Sequence, residues 1–127
     1  MLDQFSIRVR VPGSDTDRAK EWYRQRLGLS PKREHMNHLL FELGSGTQVV
    51  VYPSPATTRT AKNTQAEWTV EGIESVMDQL RSNGIRFEEY DFGQMKTENG
   101  LPQSRLGRSA WFKDNEGNTI QPSEPAW

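Results

Sequence analysis

The chain repeats one order of predicted secondary-structure elements, and this repeat constrains the fold more than any other feature of the sequence. In the first half, residues 5–11 alternate apolar and polar side chains, as a strand with one buried face does. A helix follows, for which Ser14 or Asp15 can provide the N-cap and Gly28 the left-handed end. Three more strands are predicted at 32–35, 38–43 and 47–52.

The second half follows the same order. Residues 66–70 alternate as a strand, and apolar side chains from Ile73 to Leu80 recur at helical spacing before Asn83-Gly84 ends the helix. Three final strands are predicted at 85–90, 109–113 and 118–122. This order predicts an α+β domain of two βαβββ units rather than one continuous α/β wind.

The length of 127 residues supports one domain, because it is enough for one core and short for two. We predict a single domain over residues 1–127, with unit one at about 4–53, a linker at about 54–64 and unit two at about 65–123. Residues 92–108 are predicted to be one long irregular stretch, and such loops are usually functional or mobile. Two alternatives are open for it: a surface excursion, or a lid over a ligand site.

Composition and charge exclude several functional classes. The 16 basic and 17 acidic residues are intermixed, so no broad basic field is present that would attract nucleic acid. The sequence has neither a secretory signal pattern nor the run of about 20 apolar residues that crosses a membrane, and a cytoplasmic location is the default expectation. The absence of cysteine excludes disulfides, thiolate metal sites and cysteine nucleophiles.

Two segments of the chain carry a family resemblance in addition to the repeat. Residues 17–23 are followed by Leu27-Gly28-Leu29, and the hairpin predicted at 111–121 has its turn at 114–118. Together they resemble the vicinal-oxygen-chelate superfamily, which includes glyoxalase I, ring-cleaving dioxygenases and bleomycin-binding proteins. The resemblance implies an open, curved, mixed eight-stranded sheet with the helices on its convex face and a cleft on its concave face. It also implies a homodimer, which would cover open sheet edges.

Metal-using members of that superfamily bind a divalent ion through the first and last strands of each unit. In this chain the corresponding positions hold Ser6, Tyr52, Gln65 and Gln121. None is a carboxylate or an imidazole, whereas divalent ions normally need several such ligands, so neither a metal nor another cofactor is predicted. The only two histidines flank a predicted turn at 36–37 and are more typical of surface polar residues than of a metal site.

Strand alternation predicts which side chains line the cleft. Arg8 shares the face of Ser6, and Glu67 shares the face of Gln65. We hypothesise that Arg8 and Glu67 form a cross-strand ion pair in the space where other members hold metal. Arg8 has a second interpretation, in which its planar guanidinium binds a carboxylate or phosphate of a ligand. Paired with Arg8, Glu67 would be a poor general base, so no catalytic residue is predicted.

The remaining candidates are aromatic and amide side chains. Tyr52 and Trp111 are suited either to stacking on a flat ligand or to core packing. Gln65 and Gln121 suit the recognition of a neutral ligand better than proton transfer. The predicted ligand-binding set is therefore Ser6, Arg8, Tyr52, Gln65, Glu67, Trp111 and Gln121.

Three functions are compatible with these residues. The leading hypothesis is a metal-independent protein that binds a small molecule in the concave cleft. The first alternative is a glyoxalase-like lyase, isomerase or dioxygenase that depends on a metal. The second alternative is an interaction or vestigial module without a small ligand. The fold alone does not choose between them, because function depends on the site.

Overall fold

The computed structural model describes residues 1–54, 63–92, 95–102 and 107–125. Most of the predicted linker, residues 55–62, lies outside the described residues. A short 3-10 turn at Leu2–Gln4 precedes the first unit. The elements of the first unit are β1 (Arg8–Gly13), α1 (Thr16–Leu27), β2 (Arg33–His35), β3 (His38–Leu43) and β4 (Thr47–Pro53).

The second unit begins with the same pair of elements and then has more strands than predicted. Its elements are β5 (Thr64–Thr69), α2 (Ile73–Ser82), β6 (Asp91–Phe92), β7 (Met95–Glu98), β8 (Leu101–Pro102), β9 (Gly107–Ser109), β10 (Phe112–Lys113) and β11 (Thr119–Pro125). The α+β class is confirmed. Neither helix in these described segments is long and apolar enough to cross a membrane.

In each unit the first strand lies parallel to the last one. The first sheet has the order β1-β4-β3-β2, and the second has the order β10-β11-β5, with β9 also pairing with β11. β1 is parallel to β4, and β5 is parallel to β11. Val9 of β1 packs against the cores of both units, so the first strands of the two units lie close together. A third, small sheet has the order β6-β7-β8.

The ends of α1 form as predicted. The Asp15 carboxylate accepts a hydrogen bond from the backbone N–H of Arg18 at 3.1 Å, and this satisfies a donor at the helix start. Gly28 is left-handed with φ 67°, and its N–H donates to the Arg24 carbonyl. Between these ends, the helix buries Ala19 and Tyr23 against the first sheet.

The N-terminus of α2 is capped by a side chain from another element. A carboxylate oxygen of Glu124, on β11, accepts from the backbone N–H of Gly72 at 2.8 Å and of Ile73 at 3.0 Å. The hydrogen bond from Ile73 and the neighbouring Arg108 guanidinium hold the pKa of Glu124 below its usual range. The last strand of the unit therefore fixes its helix directly.

The first strand is shorter than predicted. Alternation predicts a strand from Phe5, but β1 begins at Arg8, which pairs with Gln48 near the start of β4. Residues 5–7 thus run past the edge of the sheet, and the Phe5 and Ile7 side chains are 66% and 86% exposed. The prediction that these side chains are buried is wrong, because the alternation of apolar and polar residues does not reveal where the partner strand β4 begins.

Two predictions for the second unit are also wrong. Residues 85–90 do not form a strand, and only Phe87 makes a bridge, to Phe112. The stretch at 92–108 contains strands instead of one irregular loop, although residues 93–94 and 103–106 lie outside the described part. Asn99 and Gly100 both have positive φ, 52° and 82°, and join β7 to β8 as a tight hairpin turn.

Candidate functional site

The site is built around the terminal hairpin, whose turn is fixed by a buried carboxylate. One oxygen of Asp114 accepts from the backbone N–H groups of Glu116 at 2.8 Å and Asn118 at 2.9 Å. The other accepts from the Tyr23 hydroxyl at 2.8 Å and the Asn118 side-chain amide at 2.9 Å. Burial and the Asp114 carboxylate raise the pKa of Tyr23 well above its usual value.

The same turn is attached to the end of β1. The Asn118 amide donates to the Pro12 carbonyl at 2.9 Å. The Ser14 hydroxyl lies 2.8 and 2.9 Å from the two carboxylate oxygens of Glu116, whose side chain is buried. The start of β11 is therefore held by α1 and β1 of the first unit, which fixes the position of the residues that follow it.

Gln121, on β11, is the centre of the polar network on the second sheet. The parallel register places it opposite Glu67 on β5. Its amide oxygen accepts from the Trp111 indole N–H at 2.9 Å and from the Thr64 hydroxyl at 2.8 Å. Its amide nitrogen donates to the Glu67 carboxylate at 3.0 Å. Because an indole N–H only donates and a carboxylate only accepts, these neighbours fix the orientation of the amide.

Two serines complete this network. The Gln121 amide nitrogen also lies 3.2 Å from the Ser109 hydroxyl and 2.9 Å from the Ser123 hydroxyl. The two hydroxyls are 2.8 Å apart, and Ser123 also donates to Glu67 at 3.2 Å. The amide of Gln121 is thus satisfied on both sides, whereas the Glu67 side chain is exposed and accessible to a ligand.

The Trp111 side chain lies at the edge of the same network. Its indole nitrogen is used by Gln121, and its ring packs edge-on against Tyr90 with a centroid distance of 5.5 Å. The residue is half-buried, so part of the ring remains open to solvent. Of the predicted site residues, the structure brings Glu67, Trp111 and Gln121 together.

The first sheet presents a cationic face. The Arg8 Nε–H donates to the Gln48 side-chain oxygen at 2.5 Å. The Arg10 guanidinium lies over the Tyr52 ring, 4.9 Å from its centroid. The hypothesis of an Arg8–Glu67 ion pair is wrong, because Arg8 is held by Gln48 and Glu67 accepts from residues of β11.

Besides Arg8 and Tyr52 on the first sheet, two more predicted site residues lie away from the network. Ser6 is exposed and precedes β1, so its assignment to the first strand is wrong. The register between β5 and β11 shifts between Thr119 and Ile120, which pair with Thr64 and Ala66, and Gln65 falls at this irregularity. Gln65 bonds to the carbonyl of Asn63 at 3.3 Å, and the hydroxyl of Thr64 reaches Gln121 instead. Alternation gives no signal for such a bulge.

The donor set at the family's metal positions does not fit a divalent ion. The Gln121 oxygen accepts hydrogen bonds from two protein donors, and the Arg10 guanidinium lies over the Tyr52 ring. Ser6 precedes the strand. Among the described residues, no three His, Cys, Asp or Glu side chains are grouped so that they could hold a metal ion. His35 and His38 face each other across the β2–β3 pair, and His38 Nδ1 contacts the Met36 carbonyl at 3.0 Å.

A cleft lies at the junction of the two units, next to Glu67. Its volume is about 290 Å³, and it combines apolar side chains with threonine and carboxylate groups. This volume is close to the lower end of the range for small-molecule sites. The cleft is lined by Val9, Leu43, Gly44, Thr47, Val49, Ala66, Glu67, Trp68 and Thr69.

Comparison with solved structures shows the same fold in proteins of low sequence identity. An antibiotic binding protein, TnmS3 from Streptomyces sp. CB03234, has 20% identity and a TM-score of 0.71, with 96% of this chain and 98% of that chain covered. A glyoxalase family protein from Enterococcus faecalis has 20% identity and a TM-score of 0.72, with 98% and 100% covered. A bleomycin-binding protein complexed with bleomycin has 17% identity and a TM-score of 0.68, with 94% and 98% covered.

Comparison by sequence agrees with the fold. No curated protein matches the chain. The family model of the Glyoxalase/Bleomycin resistance protein/Dioxygenase superfamily matches residues 4–121, which is nearly the whole chain. Together with the strand and helix that begin each unit, the parallel pairing of its first and last strands and the terminal hairpin, this match confirms the family that the sequence resembles. The chain therefore belongs to the Glyoxalase/Bleomycin resistance protein/Dioxygenase superfamily.

Proposed function

We propose that this protein binds a small organic molecule at the junction of its two units, without a metal ion. The observation that carries the proposal is the hydrogen bonding of Gln121. Its amide is oriented by Trp111 and Thr64 on one side and by Glu67 on the other. The Gln121 amide is satisfied within the protein, so this network holds the Glu67 carboxylate and the Trp111 ring in fixed positions for a ligand. Such a site recognises an organic molecule without the set of anionic or imidazole ligands that a divalent cation requires.

The surroundings of Gln121 support the same function. Glu67 offers an exposed carboxylate to a ligand donor, and Trp111 offers part of a flat ring. Glu67 also borders the cleft of about 290 Å³ between the two units. Two proteins of the same fold, the antibiotic binding protein and the bleomycin-binding protein, are named for the small molecules that they bind. Sites with a few oriented polar groups in an apolar cleft are typical of small-molecule binding.

The experiment uses metal-stripped protein and two probes: bleomycin, and benzamide as a small neutral aromatic amide. Binding is measured by NMR, through the Trp111 indole N–H signal and the Gln121 side-chain amide signals. We expect these signals to shift in the presence of a chelator for at least one probe. Gln121→Leu removes the hydrogen bonds and should weaken binding about tenfold or more. Gln25→Leu, on the exposed face of α1, is the matched control and should leave binding unchanged.

The result that contradicts the proposal is equally specific. Binding or turnover that appears only after Mn²⁺ or Zn²⁺ is added would favour the metal-dependent lyase, isomerase or dioxygenase. Equal loss of binding in Gln121→Leu and Gln25→Leu would show that the network does not recognise the ligand.

We also propose that the protein forms a homodimer in the cytoplasm. Phe5 and Ile7 leave large apolar side chains in solvent, and Met36 at the β2–β3 turn is 78% exposed. Apolar surface of this kind is typical of a protein interface. Sedimentation equilibrium should give twice the chain mass, and Ile7→Lys should shift the equilibrium towards monomer. A monomer at all concentrations would contradict this proposal.

A further inference from the structure

The face of β1 opposite Val9 carries two guanidinium groups, for which the described part of the chain provides no acidic partner. Arg8 and Arg10 are two residues apart on one strand, so their Cα atoms are about 6.6 Å apart on the same side of the sheet. Both side chains are exposed. In the described ranges, no carboxylate lies within 4.0 Å of either one, whereas Arg24, Arg81 and Arg108 each form such a pair.

Neighbouring side chains hold Arg8 without neutralising it. Arg8 donates through Nε to the Gln48 oxygen at 2.5 Å, and the Gln48 nitrogen lies 3.4 Å from a Glu42 oxygen. Because the Glu42 carboxylate only accepts hydrogen bonds, it turns the amide oxygen of Gln48 towards Arg8. Glu42 is itself paired with Lys32. The two terminal nitrogens of Arg8 are left to bind another group.

Arg10 is held by a ring instead of an acid. Its guanidinium carbon lies 4.9 Å from the centroid of Tyr52, on the neighbouring strand β4. This contact orients the guanidinium but leaves its charge and its N–H donors available. Arg33 lies in the same row of the sheet, since Arg33 pairs with Leu40, Leu40 with Val50, and Val50 with Arg10. Glu42 lies on this face as well, since Gln48 pairs with both Arg8 and Glu42, but its carboxylate is paired with Lys32.

We infer that Arg8 and Arg10 form an oxyanion-binding subsite, which takes a carboxylate or phosphate group of the small molecule. This inference rests on the proposed function, because Val9 packs with Ala66 and Ile120 on one side of the sheets, which leaves the arginines of β1 on the other side with Glu67 and Gln121. Guanidinium forks bind such groups through paired, charge-assisted hydrogen bonds. An oxyanion would also relieve the repulsion between two neighbouring cations. The ligand class is therefore an anionic small molecule, with its acidic group on β1 and its uncharged part towards Glu67 and Trp111.

The test compares phenyl phosphate and benzoate with benzamide, which has the same ring but no charge. Binding is measured by NMR through the Nε–H signals of Arg8 and Arg10. We expect the two anions to shift these signals, and Arg8→Gln and Arg10→Gln each to weaken their binding about tenfold or more. Arg8→Lys keeps the charge but loses the fork and should also weaken binding. Arg18→Gln, an equal charge change on the exposed face of α1, is the matched control.

The outcomes separate this inference from the proposed function. Weaker anion binding in the two β1 variants, with benzamide binding unchanged, supports the subsite. Equal binding of benzamide and benzoate, or an equal effect of Arg18→Gln, overturns the subsite while leaving the proposed function intact. Failure of all three probes to bind overturns the subsite, and it overturns the proposed function as well when bleomycin also fails to bind.

Discussion

Replacing Gln121 with glutamate tests the hydrogen-bonded network most directly, because the two side chains have the same size and differ only in one group. In Gln121→Glu, an oxygen replaces the amide nitrogen that lies 3.0 Å from the Glu67 carboxylate. Trp111 and Thr64 still donate to the unchanged oxygen. The substitution therefore converts one hydrogen bond into contact between two carboxylates and leaves the other side of the network in place.

The size of the destabilisation follows from the distance between the two carboxylates and from the exposure of Glu67. Two charges about 4 Å apart interact by about 4 kcal/mol at an effective dielectric constant of about 20. Glu67 is exposed, and screening by solvent and salt reduces this repulsion to about 1–2 kcal/mol. The lost donor has a partial replacement, since the hydroxyls of Ser109 and Ser123 can rotate towards the new carboxylate. We expect the free energy of unfolding at pH 7 to fall by about 1–2 kcal/mol.

The sign of the pH dependence is the sharper part of the prediction. Repulsion makes the folded variant take up a proton at a higher pH than the unfolded chain, where a glutamate titrates near 4.3. The loss in free energy of unfolding, relative to the natural protein, is therefore greatest at neutral pH and becomes smaller as the pH falls towards about 4. Urea unfolding of both proteins from pH 4 to pH 8 measures this difference.

Two further variants make the reasoning refutable. Gln121→Leu removes the hydrogen bonds without adding charge, so its loss in free energy of unfolding should not become smaller as the pH falls. The double variant Gln121→Glu with Glu67→Gln restores a neutral donor opposite the new carboxylate and should recover most of the lost stability. Full stability of Gln121→Glu at pH 7, or a deficit that does not vary with pH, would refute the pairing of Gln121 with Glu67.

Two predictions concern the contacts that join the units. Tyr23→Phe removes a buried hydrogen bond to Asp114, so stability at pH 7 should fall by about 1.5–3 kcal/mol. Because the pKa of Tyr23 is raised on folding, the natural protein should lose stability as the pH rises above about 10, and Tyr23→Phe should not show this loss. Denaturant unfolding of both proteins from pH 8 to pH 11 measures the difference. Identical dependence of stability on pH in the two proteins would refute the role of Tyr23. Gly84→Ala should destabilise by roughly 1–2 kcal/mol, since φ is 90° and the new Cβ would lie 1.7 Å from a terminal nitrogen of Arg26. Gly46→Ala, where φ is 94° and no atom lies within 4 Å, is the control in urea unfolding, and an equal loss would show that Arg26 does not contribute.

Local sequence signals predict much of the fold because they act within a few residues. The Asp15 cap and the left-handed Gly28 are backbone requirements that few other residues meet equally well, and both are present. Residues 38–43 form a strand with the predicted bounds, since a buried face enforces alternation. The signal for the β7–β8 hairpin was also local, as Asn99-Gly100 is a typical turn pair.

The candidate site depends on registers between distant strands, which local patterns do not determine. The irregularity at Gln65 brings Thr64 to Gln121, although strict alternation predicts Gln65 there. Likewise, the start of β4 decides that Ser6 lies outside the sheet. Glu67 and Gln121 lie opposite each other because both are beyond the irregularity, where the alternation of side chains along β5 and β11 is regular.

The neighbours of Gln121 also bear on how this chain differs from metal-using members of its superfamily. An oxygen that binds a cation must present a free lone pair, yet the Gln121 oxygen faces the Trp111 indole N–H and the Thr64 hydroxyl. Both groups donate, so a glutamate at this position would keep one oxygen engaged by protein donors. The other oxygen would lie against Glu67 and the two serine hydroxyls. A change from amide to carboxylate at Gln121 alone would therefore place two carboxylates side by side, with one oxygen of the new group still engaged by Trp111 and Thr64, and titration of Gln121→Glu with Mn²⁺ would measure whether that pair binds a cation.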